Sequence, residues 1–253
     1  MRKMIFLSIA AIGFLSIISC TKENFDLPAP TPLYDFPDNK LWAHQVNTVE
    51  DANAKLKEFD GIEIDVYFFE GDNEFHTGHD VASELTLDQL FNGIPRCSKY
   101  YYWIDFKNLS DENAFVAVKR MKEMISKYHL EKRVIVENST AYLLNYFEED
   151  SIFTSYWVPS VSDVTFSFFA ENALQKKVAE NLEKYRFDAI SADYSMYPFL
   201  NKYFPAWNIH LWTNGLDENS DKKTVKQLSH QSNIKVILVD FDENILTSSQ
   251  LQH

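Results

Sequence analysis

Ile62-Glu63-Ile64-Asp65-Val66-Tyr67-Phe68 is a run of β-branched and aromatic residues broken only by two carboxylates two positions apart. Its composition predicts a strand, and the two-residue period of a strand sets Glu63 and Asp65 on one face. Seven further runs of this character lie at 41–44, 101–107, 134–138, 152–158, 189–194, 208–213 and 236–241. Between the runs, apolar residues recur with helical spacing at 49–59, 85–91, 111–128, 141–147, 170–185, 197–204 and 222–228. Helix starts are signalled by Thr48, by Thr86 with Gln89 three positions on, and by Ser110 ahead of acidic residues. Eight strands alternating with helices over roughly 210 residues predict one α/β domain, a single (β/α)8 TIM barrel, with an open doubly wound sheet as the alternative.

Composition agrees with a large buried core. The chain has 253 residues, 45% apolar and 24% charged, with 20 Phe, 13 Tyr and 5 Trp beside 6 Gly. That mixture excludes a disordered, collagenous or coiled-coil chain. Its 37 acidic and 24 basic residues give a formal charge of −13, which repels a nucleic-acid backbone, so no nucleic-acid partner is expected. Two Cys cannot staple a fold of this size.

The N-terminus reads as a targeting segment. Arg2 and Lys3 precede an apolar run from Met4 to Ile18, too short for a comfortable membrane span. The run ends Ile17-Ile18-Ser19-Cys20, which resembles the cleavage box of bacterial lipoproteins. That resemblance implies removal of residues 1–19, lipidation of Cys20, a tether over 20–38 and a folded unit over 39–253. The expected location is a lipid-anchored one at a bacterial envelope membrane, the outer membrane above all, on its periplasmic or external side. Loss of Arg2 and Lys3 would leave 22 basic and 37 acidic residues, a charge of −15. Cys97 is then the remaining thiol, expected to be buried and inert.

A barrel puts its chemistry at the carboxyl ends of its strands. His44 closes the first run there. Glu63 and Asp65 cannot both stay ionised inside a barrel without a cation or a shared proton, and hard oxygen ligands suit one divalent cation, Mg2+ or Ca2+. On the neighbouring run Tyr101-Tyr102-Trp103-Ile104-Asp105-Phe106-Lys107, Asp105 completes a three-carboxylate set, while Lys107 either holds a substrate anion or pairs with Asp105. His76 and His79 lie beyond the second run, and Trp212 offers an aromatic wall or fills core.

Together, Ala43-His44, Glu63-x-Asp65, His79-Asp80, Asp105-x-Lys107 and Trp212-Thr213-Asn214 resemble, in order and strand context, the phospholipase-C-like phosphodiesterase superfamily, over roughly residues 41–246. His44-Gln45-Val46-Asn47 is similar to the sphingomyelinase D-like branch. His79-Asp80 followed by Leu85-Thr86-Leu87-Asp88-Gln89-Leu90 is similar to the glycerophosphodiester phosphodiesterases. The resemblance implies a metal-dependent phosphodiesterase that hydrolyses or cyclises a glycerol- or lipid-type phosphodiester. It implies His44 and His79 as the catalytic pair, Glu63, Asp65 and Asp105 as metal ligands, and Lys107, Trp212 and Asn47 as substrate contacts. Spacing from Asp65 favours His79, 14 positions on, over His76 at 11.

The departures are specific. Gln45-Val46 stands where glycerophosphodiesterases carry Arg-Gly, which removes a phosphate contact. Only 26 positions separate His79 from Asp105, too few for the substrate-binding insertion of that branch, and the paired-Cys loop of the other branch is absent. A catalytically inactive, surface-displayed module that binds a lipid headgroup or carbohydrate is therefore the alternative.

Overall fold

A computed structural model of the protein describes residues 27, 38–159, 168–213 and 218–240. The chain runs β1 (Leu41–Ala43), α1 (Val49–Lys55), β2 (Gly61–Phe69), β3 (Glu74–Thr77), α2 (Leu87–Gly93) and β4 (Tyr101–Phe106). It continues α3 (Ala114–Tyr128), β5 (Val134–Asn138), α4 (Ala141–Glu149), β6 (Phe153–Trp157), α5 (Phe168–Lys184) and β7 (Ala189–Asp193). The last elements are α6 (Tyr197–Tyr203), β8 (Ile209–Trp212), α7 (Glu218–Ser229) and β9 (Ile234–Val239).

Eight of these strands pair in parallel in the order β1-β9-β8-β7-β6-β5-β4-β2, and Ala43 opposite Ile62 joins β1 back to β2. That closure makes the sheet a (β/α)8 barrel and overturns the open-sheet alternative. The ninth strand, β3, was not expected. It folds back antiparallel on β2, from Val66 opposite Thr77 to Phe69 opposite Glu74.

Local sequence explains most element ends. The Thr48 hydroxyl accepts the Asp51 N–H at 3.1 Å, and Thr86 with Gln89 forms a reciprocal capping box at 3.1 and 3.0 Å. The third helix starts at Ala114 rather than at Asp111. Ser110 N–H donates to Asn113 Oδ1 and Asn113 Nδ2 donates to the Asn108 carbonyl, so residues 111–113 form a turn instead. The expected end of the last run at Phe241 lies outside the described residues, as do residues 1–19, Cys20 and Asn214. Within the expected tether, Leu27 packs on the core.

Alternation along the strands separates two cores. Outward residues such as Ile62, Ile64, Val66, Ile104 and Val136 bury against the helices, each contributing roughly 1.5–3 kcal/mol. Inward residues Trp42, Trp103, Ile135, Phe153, Val236 and Leu238 form a second cluster that plugs the barrel. Gly61 makes that plug possible: a Cβ there would stand 2.4 Å from Trp42 Cδ2. Beside the plug, His210 is buried against the Trp103 ring with Nδ1 3.0 Å from Ser155 Oγ, and burial holds its imidazole down at about 3, hence neutral. Cys97 is buried as expected; burial pushes its thiol up to about 11.

Candidate active site

Above the plug, the same inward rows end in charged residues that line a cavity of about 310 Å3. Glu63 and Asp65 are 2% and 1% exposed, and register sets Asp105 on β4 directly beside Asp65 on β2. Oxygens of Glu63, Asp65 and Asp105 lie within 4.8 Å of one another. The expected carboxylate trio therefore converges.

Each carboxylate is held differently. Gln45 adopts φ 54°, which turns its backbone N–H onto Glu63 Oε2 at 2.7 Å, while Glu63 Oε1 has no hydrogen-bond partner among the described residues. Burial, then the charges of Asp65 and Asp105, push the Glu63 carboxyl well above the usual range. For Asp65, burial is outweighed by hydrogen bonds from Lys107, Asn47 and His79, which hold its carboxyl below that range. Burial raises Asp105 despite Lys107. Lys107 Nζ bridges Asp65 Oδ1 at 2.6 Å and Asp105 Oδ2 at 2.5 Å, so the bland ion-pair alternative and a place in the cavity are both realised.

The imidazoles are sorted by their contacts. His44 donates through Nδ1 to Asp240 Oδ1 at 2.9 Å, and its Nε2 lies 3.9 Å from Glu63 Oε2. His79 donates through Nδ1 to Asp65 Oδ1 at 3.0 Å and is 48% exposed. His79 reaches this position because Gly78, at φ 141°, donates its N–H to the Asp65 carbonyl, and the Tyr67 hydroxyl sits 2.9 and 3.1 Å from the carbonyls of His79 and Asp80. His76 does not line the cavity: it bonds Asp72 Oδ2 and the Ser83 carbonyl on the hairpin.

Trp212 lines the cavity, edge to face with Trp157 at 5.8 Å. Asn47 does not line it. Its amide clamps Asp65 from behind, Nδ2 donating to Oδ2 at 2.8 Å and Oδ1 accepting the Asp65 N–H at 2.9 Å. Cys20 lies outside the described residues.

Three lining residues, besides the apolar Leu238 of the plug, were not singled out from the sequence. Asp240, just past β9, accepts from both His44 and Thr213 Oγ1, the latter at 2.7 Å; those bonds outweigh burial and keep its carboxyl below the usual range. Glu137 on β5 is buried opposite Asp105, and burial with the Asp105 charge pushes it up to about 8. Trp157 ends β6. Each sits an even number of residues along its strand from an inward apolar residue, which was the signal available.

No protein-family model matches the chain, and no curated protein matches it. Solved structures do. A phosphodiesterase from Oleispira antarctica, in complex with the product sn-glycerol-3-phosphate, superposes with a TM-score of 0.60 at 13% identity, over 84% of this chain and 97% of that one. A glycerophosphodiester phosphodiesterase from Parabacteroides distasonis gives 0.58 at 15% identity, over 85% and 100%. One from Agrobacterium tumefaciens gives 0.53 at 13%, over 80% and 96%. The chain has the glycerophosphodiester phosphodiesterase fold. In this phosphodiesterase-fold barrel, Gln45 stands where the resemblance places Arg, and its side-chain amide lies 3.4 Å from His79 Nδ1.

The donor set fits a divalent cation. Five carboxylates, Glu63, Asp65, Asp105, Glu137 and Asp240, line the cavity with Lys107, and two buried carboxylate oxygens, Glu63 Oε1 and Glu137 Oε1, have no hydrogen-bond partner among the described residues. Hard oxygens crowded at this density are the ligands Mg2+ and Ca2+ take.

Proposed function

We propose that the cavity hydrolyses or cyclises a glycerol- or lipid-type phosphodiester with a divalent cation, Mg2+ or Ca2+, held by Glu63, Asp65 and Asp105. The observation that carries this reading is the pair of imidazoles, each fixed through Nδ1 by a carboxylate, on one cavity with the carboxylate trio. When bound, the cation supplies charge neutralisation at the phosphoryl oxygens. The need for it is electrostatic, because an anionic diester entering a cavity lined by five carboxylates is otherwise repelled.

The residues of the chain do the proton work. Donation from Nδ1 to a carboxylate fixes the tautomer and leaves Nε2 to exchange protons. One of His44 and His79 takes a proton from the attacking water or substrate hydroxyl, and the other gives one to the departing alkoxide, each worth about 10²–10⁴-fold. Lys107 orders Asp65 and Asp105 and adds positive charge beside the phosphate, while Trp212 walls the substrate.

The same proposal puts a lipid on Cys20 and the barrel at a bacterial envelope membrane; the Ile17-Ile18-Ser19-Cys20 sequence supports it. Among the described residues, no helix is long and apolar enough to cross a membrane. Labelling with radioactive palmitate, followed by membrane fractionation of wild type and Cys20→Ser, tests the anchor. A second reading, an inactive module binding a headgroup or carbohydrate, is favoured by one observation: Lys107 already bridges two of the three carboxylates. Hydrolysis of glycerophosphodiesters in Mg2+, Ca2+ or EDTA by wild type, His44→Ala and Asp65→Asn separates the two. Cation-dependent turnover lost in both variants supports the enzyme, and no turnover in any cation supports the module.

A further inference from the structure

Beyond the carboxylate trio, the inward positions of β5, β6 and β7 carry polar atoms that the proposed chemistry does not use. Glu137 on β5 is 3% exposed; its Oε2 accepts the Trp103 Nε1–H at 3.0 Å, and its Oε1 has no hydrogen-bond partner among the described residues. On β6, Ser155 pairs in register with Glu137, and Trp157 two positions on lines the same cavity. The Trp157 Nε1–H also has no partner among the described residues. On β7, Ser191 stands opposite Trp157, its hydroxyl near enough to bear on the Glu137 charge without closing a hydrogen bond.

Buried donors and acceptors are rarely left unpaired, because the desolvation cost is not recovered. Here three such atoms lie on three adjacent strands, two of them in residues that line one cavity wall. Their types specify a ligand. An O–H group is complementary to Glu137 Oε1 in either state of its carboxyl, giving its proton to the ionised oxygen or accepting from the protonated one, and it also accepts from Trp157 Nε1. An ammonium group would satisfy the carboxylate and leave the indole N–H unpaired. An anion would add to the carboxylates that already line the cavity.

We infer that Glu137 and Trp157 form a specificity subsite for an uncharged, hydroxylated substituent of the substrate, which extends from the carboxylate trio towards β6. The inference rests on the phosphodiesterase reading above.

The test compares turnover of glycerophosphoglycerol with that of bis(p-nitrophenyl) phosphate, which carries no hydroxyl, for the full chain as wild type, Glu137→Leu and Trp157→Phe. The preference of the wild type for the hydroxylated diester should fall by at least about 30-fold in Glu137→Leu and about 10-fold in Trp157→Phe, since a site built for an O–H loses discrimination when its partner is removed. An unchanged preference ratio in both variants overturns the subsite, whatever the absolute rates. Should Glu137→Leu fail to fold, Trp157→Phe, which deletes one N–H and keeps the aromatic volume, decides alone. Calorimetric binding of glycerophosphoglycerol in a His44→Ala background gives a readout independent of turnover. If the wild type cleaves neither diester, the phosphodiesterase reading fails. Weaker calorimetric binding in the Glu137→Leu and Trp157→Phe backgrounds would then still support the subsite, and equal binding would overturn it.

Discussion

His44 Nδ1 and Asp240 Oδ1 stand 2.9 Å apart, so a residue just past the first barrel strand is steered by one just past the last. Thr213, following β8, fixes the other oxygen of Asp240. Asp240 touches no reacting atom in the proposed chemistry; it acts by fixing the tautomer and ring of His44. Asp240→Asn should therefore lower kcat by about 10²-fold with little change in KM, and should alter the pH–rate profile. Thr213→Val should do the same more weakly. Equal losses in KM and kcat, with an unaltered pH profile, would mean that Asp240 only supports the fold.

Lys107 answers charge that a cation would otherwise answer. Lys107→Ala leaves Asp65 and Asp105 facing each other, and breaking a buried pair costs roughly 3–5 kcal/mol; the lower end applies because Lys107 is 19% exposed. The melting temperature in EDTA should drop, and millimolar Ca2+ or Mg2+ should restore more of it than the same cation adds to wild type. At a hundredfold excess over Kd the gain is about 2.7 kcal/mol. Asp65→Asn should abolish the response. A cation response that survives in Asp65→Asn would remove Asp65 from the ligand set.

The loop before His79 depends on a glycine. Gly78 at φ 141° would, with a Cβ, place that atom 2.1 Å from the Val81 carbonyl oxygen, a contact that backbone cannot absorb without moving. Gly78→Ala should cost about 1–3 kcal/mol in denaturant unfolding. Because the shift carries His79 away from Asp65, activity should fall further than stability at temperatures where the protein stays folded. Retained activity at full stability would show that the loop adapts.

Asp188 gives a pH signature remote from the site. It accepts the Thr154 N–H at 2.8 Å, yet burial raises its carboxyl to about 6. A carboxyl with a raised folded-state pKa contributes fully below its unfolded value, near 3.9, and that contribution is lost as the pH rises through about 6. Asp188→Asn keeps the acceptor and removes the charge. It should stabilise the protein by up to about 3 kcal/mol at pH 7.5 and by less than about 1 kcal/mol at pH 4, read by urea unfolding at both pH values. A pH-independent difference would mean that burial leaves the Asp188 carboxyl at its unfolded-state value.

How much of this was legible in the sequence follows from side-chain period. Glu63 with Asp65, and Asp105 with Lys107, announce themselves because two ionisable groups two apart in an apolar strand must share a face. A lone carboxylate at a strand end, such as Glu137 or Asp240, carries no such internal partner, and its meaning emerges only when the neighbouring strand is known. Trp157 reads as core until the barrel mouth is located. The hairpin strand Glu74–Thr77 is four residues long and follows the polar run Glu70-Gly71-Asp72-Asn73, so no period could declare it; its identity comes from pairing with β2. The resemblance implies Asn47 as a substrate contact, but a side-chain amide can satisfy a carboxylate and a backbone N–H together, and Asp65 offers both.

The hairpin has an evolutionary consequence. His44 rides on the closed ring, where every strand is locked between two neighbours, whereas His79 follows a strand that, among the described strands, pairs with β2 alone. One half of the acid–base pair is thus carried by the chassis and the other by an outrigger. Insertions and substitutions over residues 70–86 can redirect the outrigger, and with it the reaction or its substrate, without reopening the chassis.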